Sequence, residues 1–163
     1  MLVQIKKGSD SRPTLVCVRG DGTRTWSTVH PFFPIHDITH YAVESVLGLE
    51  QAFFGLVDSG WNLAAFETPG TRTTLPPEAL LAEHVVGIFD LERGMGRLLT
   101  AAEFNEALTE SLRERPGIGG RTLTAEEILA VRSLRGALQA RWQALGPGET
   151  LEIPFPANPA TVG

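Results

Sequence analysis

Thr14-Leu15-Val16-Cys17-Val18-Arg19-Gly20-Asp21-Gly22-Thr23-Arg24-Thr25-Trp26-Ser27-Thr28-Val29 is the stretch whose reading decides the fold. Residues 14–19 follow the two-residue period of a strand, and Gly20-Asp21-Gly22 supplies residues that tolerate positive φ and reverses the chain. Residues 23–29 then return as a second strand, with Trp26 placed to pack. Upstream, residues 2–6 alternate apolar and polar side chains in the same way, so the first thirty residues read as an antiparallel meander. Far downstream, residues 150–155 alternate again, between Gly146-Pro147-Gly148 and the prolines at 154, 156 and 159 that would blunt a sheet edge. This strand is expected to join the same sheet.

Between these ends the period changes to that of helices. After His30-Pro31-Phe32-Phe33-Pro34, a helix is expected over residues 37–47, closed by Gly48 in the left-handed cap position. A short helix over residues 50–58 follows, with Phe53, Phe54 and Val57 on one apolar face and Gly60 at its end. Residues 61–74 carry Pro69-Gly70 and read as a loop. Pro76-Pro77-Glu78 suits the start of a helix running to about residue 93. Thr100-Ala101-Ala102-Glu103 and Thr124-Ala125-Glu126-Glu127 both match the capping box and open two more helices. In the last one Ile128, Val131, Leu134, Leu138, Trp142 and Leu145 recur at three- and four-residue steps and define a buried stripe. Pro116-Gly117-Ile118-Gly119-Gly120 reads as a mobile surface loop. The expected architecture is α+β: a small antiparallel sheet of three to four strands, from the N-terminal meander and the C-terminal strand, covered on one face by about five helices within a single domain over residues 1–163.

Composition narrows the function classes. The net charge of −5 argues against a dedicated nucleic-acid binder, which normally carries a basic surplus for phosphate. No apolar run reaches the roughly 20 residues of a membrane-spanning helix, and the first residues lack the apolar core of a signal peptide. A cytoplasmic protein with no membrane association is expected. Cys17 is the only cysteine, so an intrachain disulfide and a thiolate metal cluster are both excluded. Neither phosphate-cradling glycine motif occurs, and Asp58-Ser59-Gly60 lacks the context of a nucleophilic serine.

Chemistry concentrates in His36-Asp37-Ile38-Thr39-His40. On a helix, two imidazoles four residues apart share one face at about 6 Å and suit one metal ion. The pattern is similar to the zinc-protease helix H-E-x-x-H, with Asp37, shorter by one methylene, in place of the general-base glutamate. Glu44 continues the face but lies about 12 Å along the axis from His36, too far to share the same ion. A third ligand must come from elsewhere, with His30, His84, Asp58 and Asp90 as candidates. A structural alternative stands beside this one. If Asp37 is the helix N-cap, His36 precedes the helix and the two rings no longer share a face. Both histidines are then ordinary neutral residues hydrogen-bonded to neighbours such as Asp37 or Tyr41.

The run from Phe32-Phe33-Pro34-Ile35-His36-Asp37-Ile38-Thr39-His40-Tyr41-Ala42-Val43-Glu44 through Leu47-Gly48-Leu49, Phe53-Phe54-Gly55-Leu56 and Gly60-Trp61 resembles the signature of a bacterial family of uncharacterised proteins. The resemblance covers about a fifth of the chain and implies a bacterial cytoplasmic source, with no activity, cofactor or partner attached to it.

Two function classes compete. In the first, His36 and His40 ligate a divalent metal, zinc or a similar ion, and Asp37 or Glu44 assists catalysis in a metal-dependent hydrolase acting on a small molecule. In the second, Phe32, Phe33, Phe53, Phe54 and Trp61 form a patch that docks a protein partner or a second copy, as a non-catalytic module or homodimer. Nucleic-acid binding through Arg132, Arg135 and Arg141 is the least expected role, since an exposed arginine face is usually only solvated.

Overall fold

A computed structural model describes residues 1–9, 12–31, 33–115 and 117–156. Phe32, Pro116 and Pro159, which enter the expectations above, lie outside the described residues. Strands β1 (Leu2–Lys6), β2 (Thr14–Val18), β3 (Arg24–Thr28) and β4 (Thr150–Pro154) form one antiparallel sheet in the order β3-β2-β1-β4. The C-terminal strand therefore joins the meander, beside β1.

The register explains which face is covered. Ile153, Val3, Cys17 and Thr25 line up across the four strands, as do Leu151, Ile5, Leu15 and Ser27. All of these except Ser27 are buried. The two-residue period sends Gln4, Val16, Trp26 and Glu152 to the opposite face, where Trp26 is 64% exposed. Trp26 thus does not enter the core, because its register opposite Val16 turns it away from the helices.

Six helices are seen among the described residues: α1 (Phe33–Leu47), α2 (Phe53–Asp58), α3 (Leu63–Phe66), α4 (Pro77–Met95), α5 (Ala101–Leu112) and α6 (Ala125–Ala144). The stretch expected as a loop over residues 61–74 contains α3 and a 3-10 turn at Thr71–Thr73. α3 forms because Leu63 is buried and its amide donates to Thr25 Oγ1 at 3.0 Å, which ties it to β3. Both capping boxes form as read, at Thr100 with Glu103 and at Thr124 with Glu127. α1 ends at Gly48, which takes φ 66°, and the Leu49 amide returns to the Glu44 carbonyl at 3.0 Å.

The helices stack in two layers over the sheet. Ile38 and Tyr41 of α1, with Leu138 and Trp142 of α6, pack against Val3, Ile5, Leu15 and Ile153 of the sheet. The other sides of the same two helices, through Ala42, Val43, Ile128 and Val131, pack against Val85, Val86 and Phe89 of α4 and Phe104 and Leu108 of α5. Ile118 joins this second cluster, so the glycine-rich segment expected to be mobile is pinned by one buried side chain. Arg132 and Arg135 are not a free basic face either. Arg132 pairs with the buried Glu92, and Arg135 donates to the Phe89 carbonyl at 3.1 Å and lies over its ring.

α1 is consequently the central helix. Every residue from 37 to 44 is buried, including Asp37, Thr39, His40 and Glu44. A helix enclosed on all sides normally carries apolar residues all round, so this polar stripe needs a partner for each member. Thr39 is accounted for by the Ile35 carbonyl at 2.8 Å. The other three lead to the site.

Candidate metal centre

α1 starts four residues earlier than the glycine and proline punctuation suggests. The Phe33 amide bonds the His30 carbonyl at 2.9 Å to begin the turn, and Pro34 sits in the first turn, where its missing donor costs nothing. Asp37 is therefore inside the helix and not its N-cap, and His36 and His40 share a face. Their rings meet edge to face with centroids 4.8 Å apart.

The third donor comes from α4, which runs antiparallel to α1 so that His36 faces Asp90 and His40 faces Glu83. Donor atoms of His36, His40 and Glu83 lie within 4.8 Å of one another, so the three form a group able to hold a metal ion. His40 Nε2 is already 3.5 Å from Glu83 Oε1. Tetrahedral ligation at about 2.0–2.1 Å per bond spaces donors roughly 3.4 Å apart, so side-chain rotation has to close the widest pair by up to about 1.4 Å.

Each imidazole has a carboxylate behind it, hydrogen-bonded at His36 and standing slightly beyond hydrogen-bond reach at His40. His36 Nδ1 lies 2.9 Å from Asp90 Oδ2. Burial pushes the Asp90 carboxyl up, but His36 and Arg93 outweigh it and keep the group below its ordinary range. An ionised Asp90 accepts the Nδ1 proton and leaves Nε2 of His36 as the ring nitrogen for a ligand. His40 Nδ1 is 3.4 Å from Glu44 Oε1. Burial works against a charged imidazolium at His40, yet Glu44, Glu83 and Asp37 together hold its pKa above the ordinary value. Burial raises the Glu44 carboxyl, while His40 and the amides of Gly55 and Phe54 pull it back.

Glu44 has a second attachment. Its Oε2 accepts from the amides of Phe54 at 2.8 Å and Gly55 at 3.2 Å, the first turn of α2. One carboxylate, 1% exposed, thus links the back of the His40 ring to the start of the next helix. It lies on the far side of His40 from Glu83, in keeping with the axial distance that separates it from His36.

Asp37 lines the same cleft as His36 and His40. It is 5% exposed, and its Oδ2 has no hydrogen-bond partner among the described residues. Burial pushes its pKa up to about 6, opposed by His40 and His36 and assisted by Glu83. Glu92, a buried carboxylate on α4, makes the contrast plain. It pairs with Arg132 and accepts from the Leu99 amide at 2.9 Å, a satisfied structural network.

Asp37, His36, His40 and Glu83 lie at the polar side of a cleft of about 350 Å³. Its walls are Leu15, Val29, Phe33, Phe53, Leu63, Phe66 and Leu75, with Ser27, Thr28, His30 and Glu67 completing the lining. The wall over the site is fastened to the sheet by Arg19, which donates to the carbonyls of Val57 at 2.6 Å and Trp61 at 2.5 Å. The aromatic residues read as a docking patch are distributed differently. Phe54 is fully buried, Phe53 faces the cleft against His40 with centroids 5.7 Å apart, and Phe33 is 49% exposed at the rim.

Of the ligand candidates named from sequence, Asp90 supports His36 from behind, His30 lines the cleft, His84 bonds Ser111 Oγ at 3.1 Å and Asp58 meets the terminal amine at 3.6 Å. Glu83 was not among them. The signal that could have found it is the seven-residue spacing of Glu83 and Asp90, which puts two carboxylates on one face of a largely apolar helix.

No protein-family model, curated protein or solved structure matches the chain. No helix among the described residues is long and apolar enough to cross a membrane.

Proposed function

We propose that the chain is a metal-dependent hydrolase whose centre is a divalent ion, zinc by donor type, bound by His36, His40 and Glu83. The observation that carries this reading is the convergence of His36, His40 and Glu83 donor atoms within 4.8 Å, with Asp90 hydrogen-bonded behind His36 Nδ1 at 2.9 Å and Glu44 standing 3.4 Å from His40 Nδ1. Ligand histidines characteristically give their second nitrogen to a carboxylate, which fixes the tautomer and aims the first. Two histidines and one carboxylate would leave a held ion a position for water, and all three residues line the cleft.

In this reading Asp37 is the general base. A metal held there would supply an activated water, and the unpartnered oxygen of Asp37 would take its proton and return it to the leaving group of a carbonyl substrate. Glu44, the other carboxylate given a catalytic role from sequence, orients His40. A cytoplasmic setting accords with the single buried Cys17, and a bacterial source rests on the resemblance of residues 32–61.

Elemental analysis of protein purified without a histidine tag tests the centre. About one equivalent of zinc, lost in His36→Ala and His40→Ala, is expected. Less than about a tenth of an equivalent, with no uptake on dialysis against zinc, removes the reading. Stoichiometric iron in place of zinc would replace hydrolysis by oxidative chemistry, since the same donor set serves ferrous oxygenases.

A further inference from the structure

The cleft carries a charge pattern that names the kind of molecule it admits. Three carboxylates line it, Asp37, Glu83 and Glu67, and among the described residues no lysine or arginine does. Its apolar wall is aromatic: Phe53 and Phe66 meet at 4.7 Å between centroids, and Trp61 backs Phe66 at 5.5 Å. An anionic substrate entering this space would lose its hydration against apolar surface and meet Asp37, Glu83 and Glu67, while the imidazoles of His36 and His40 already face carboxylates. A protonated amine would find the opposite, since carboxylates and the faces of phenylalanine rings both attract a cation.

Glu67 gives this attraction a location. It stands on the exposed residue after α3, where Oε1 accepts from Ser27 Oγ at 3.1 Å, so it is fixed between the wall and β3. Deeper in, the buried Oδ2 of Asp37 is unpartnered. We infer that the cleft takes a small primary amine with an aromatic or alkyl body, the body lying on Phe53 and Phe66 and the ammonium group held by Glu67. The inference rests on the reading of the cleft as the substrate chamber of the metal centre, and it identifies the substrate as an amine-bearing carbonyl compound.

Calorimetric titration with three molecules of one shape tests it: 3-phenylpropylamine, 3-phenylpropan-1-ol and 3-phenylpropionate. The full-length protein is used, once as purified and once after dialysis against a chelator. In the chelated protein the amine is expected to bind at least tenfold more tightly than the carboxylate, with the alcohol between them. Glu67→Gln, an exposed change that leaves packing untouched, is expected to weaken the amine at least threefold and leave the alcohol unaltered. Phe66→Ala is expected to weaken all three.

Equal or tighter binding of the carboxylate in the chelated protein overturns the inference, as does absence of amine binding at millimolar concentration. An amine preference that survives Glu67→Gln unchanged overturns the anchor. The chelated arm contains no metal, so its failure is separate from failure of the metal reading, which elemental analysis alone decides.

Discussion

His36 Nδ1 and Asp90 Oδ2 lie 2.9 Å apart across two helices, although 54 positions separate them in the chain. Asp90 is too committed to that nitrogen and to Arg93 to serve as a ligand itself. Its effect on a bound ion is therefore indirect, through the orientation and basicity of the imidazole.

Asp90→Asn is expected to weaken zinc binding by about 10- to 100-fold while leaving circular dichroism and thermal unfolding of the chelated protein nearly unchanged. Competition with a chromophoric chelator measures the first quantity. Glu83→Gln, which removes a proposed ligand oxygen's charge, is expected to exceed that loss. Equal affinity of Asp90→Asn and the parent protein would show that His36 does not depend on its partner.

Asp37 makes the chelated protein sensitive to pH in a specified direction. Its ordinary pKa of 3.8 is raised to about 6 in the fold, so the unfolded chain gives up the proton first as pH rises. The contribution to stability is complete below about pH 4 and is lost as pH climbs through about 6. At about 1.4 kcal/mol per pH unit, the gap between 3.8 and about 6 costs about 3 kcal/mol at neutral pH. Asp37→Asn keeps the shape without the charge, and is expected to be more stable than the parent by about 1–3 kcal/mol at pH 8 and by little at pH 4. Urea unfolding at the two pH values reads the difference. The amide has the shape of the acid, so the comparison reports the charge of Asp37 together with its coupling to His40 and His36. A constant difference across the range would contradict the assignment.

The parts of this arrangement that local pattern can carry were legible in the sequence. The meander, the two capping boxes and the stripe of α6 each depend on residues within a few positions of one another, and each forms as read. The pairing of β4 with β1 was legible as well, because alternation marks a strand wherever it lies. What local pattern could not carry is the depth of α1. Its start at Phe33 is set by a turn at His30, and its enclosure comes from the sheet on one side and α4 on the other. Asp37 looked like an N-cap because that is the commonest use of an aspartate near a helix start. Glu83 escaped notice for a related reason: its role depends on the antiparallel approach of α4 to His40, which no spacing within residues 36–44 encodes.

Cys17 offers a test of the sheet-facing core. Burial pushes its thiol up to about 12, with Asp37 adding to the rise, and the side chain is fully enclosed. At pH 8 the native protein is expected to show no reaction with a thiol-specific chromogenic disulfide over an hour, and one equivalent once unfolded in guanidinium. Rapid modification of the native protein would mean that the packing of β2 against α1 opens readily.

Gly55 ties the integrity of α2 to the proposed centre. A Cβ at this position would stand 2.1 Å from the Glu50 carbonyl oxygen, well inside contact distance and against backbone that cannot swing away. Gly55→Ala is therefore expected to displace the first turn of α2 and to cost roughly 2–4 kcal/mol in chemical denaturation. The same turn supplies the Phe54 and Gly55 amides that hold Glu44, whose other oxygen faces His40. Displacing it frees Glu44 from its anchor and leaves His40 without a fixed support. Zinc affinity is accordingly expected to fall by about tenfold in Gly55→Ala, although neither the glycine nor the amides approach the ion. Gly87→Ala, where a Cβ meets nothing within 4 Å, is the matched control and is expected to bind zinc as the parent does. Loss of stability in Gly55→Ala with zinc affinity intact would show that Glu44 braces α2 and has no part in orienting His40.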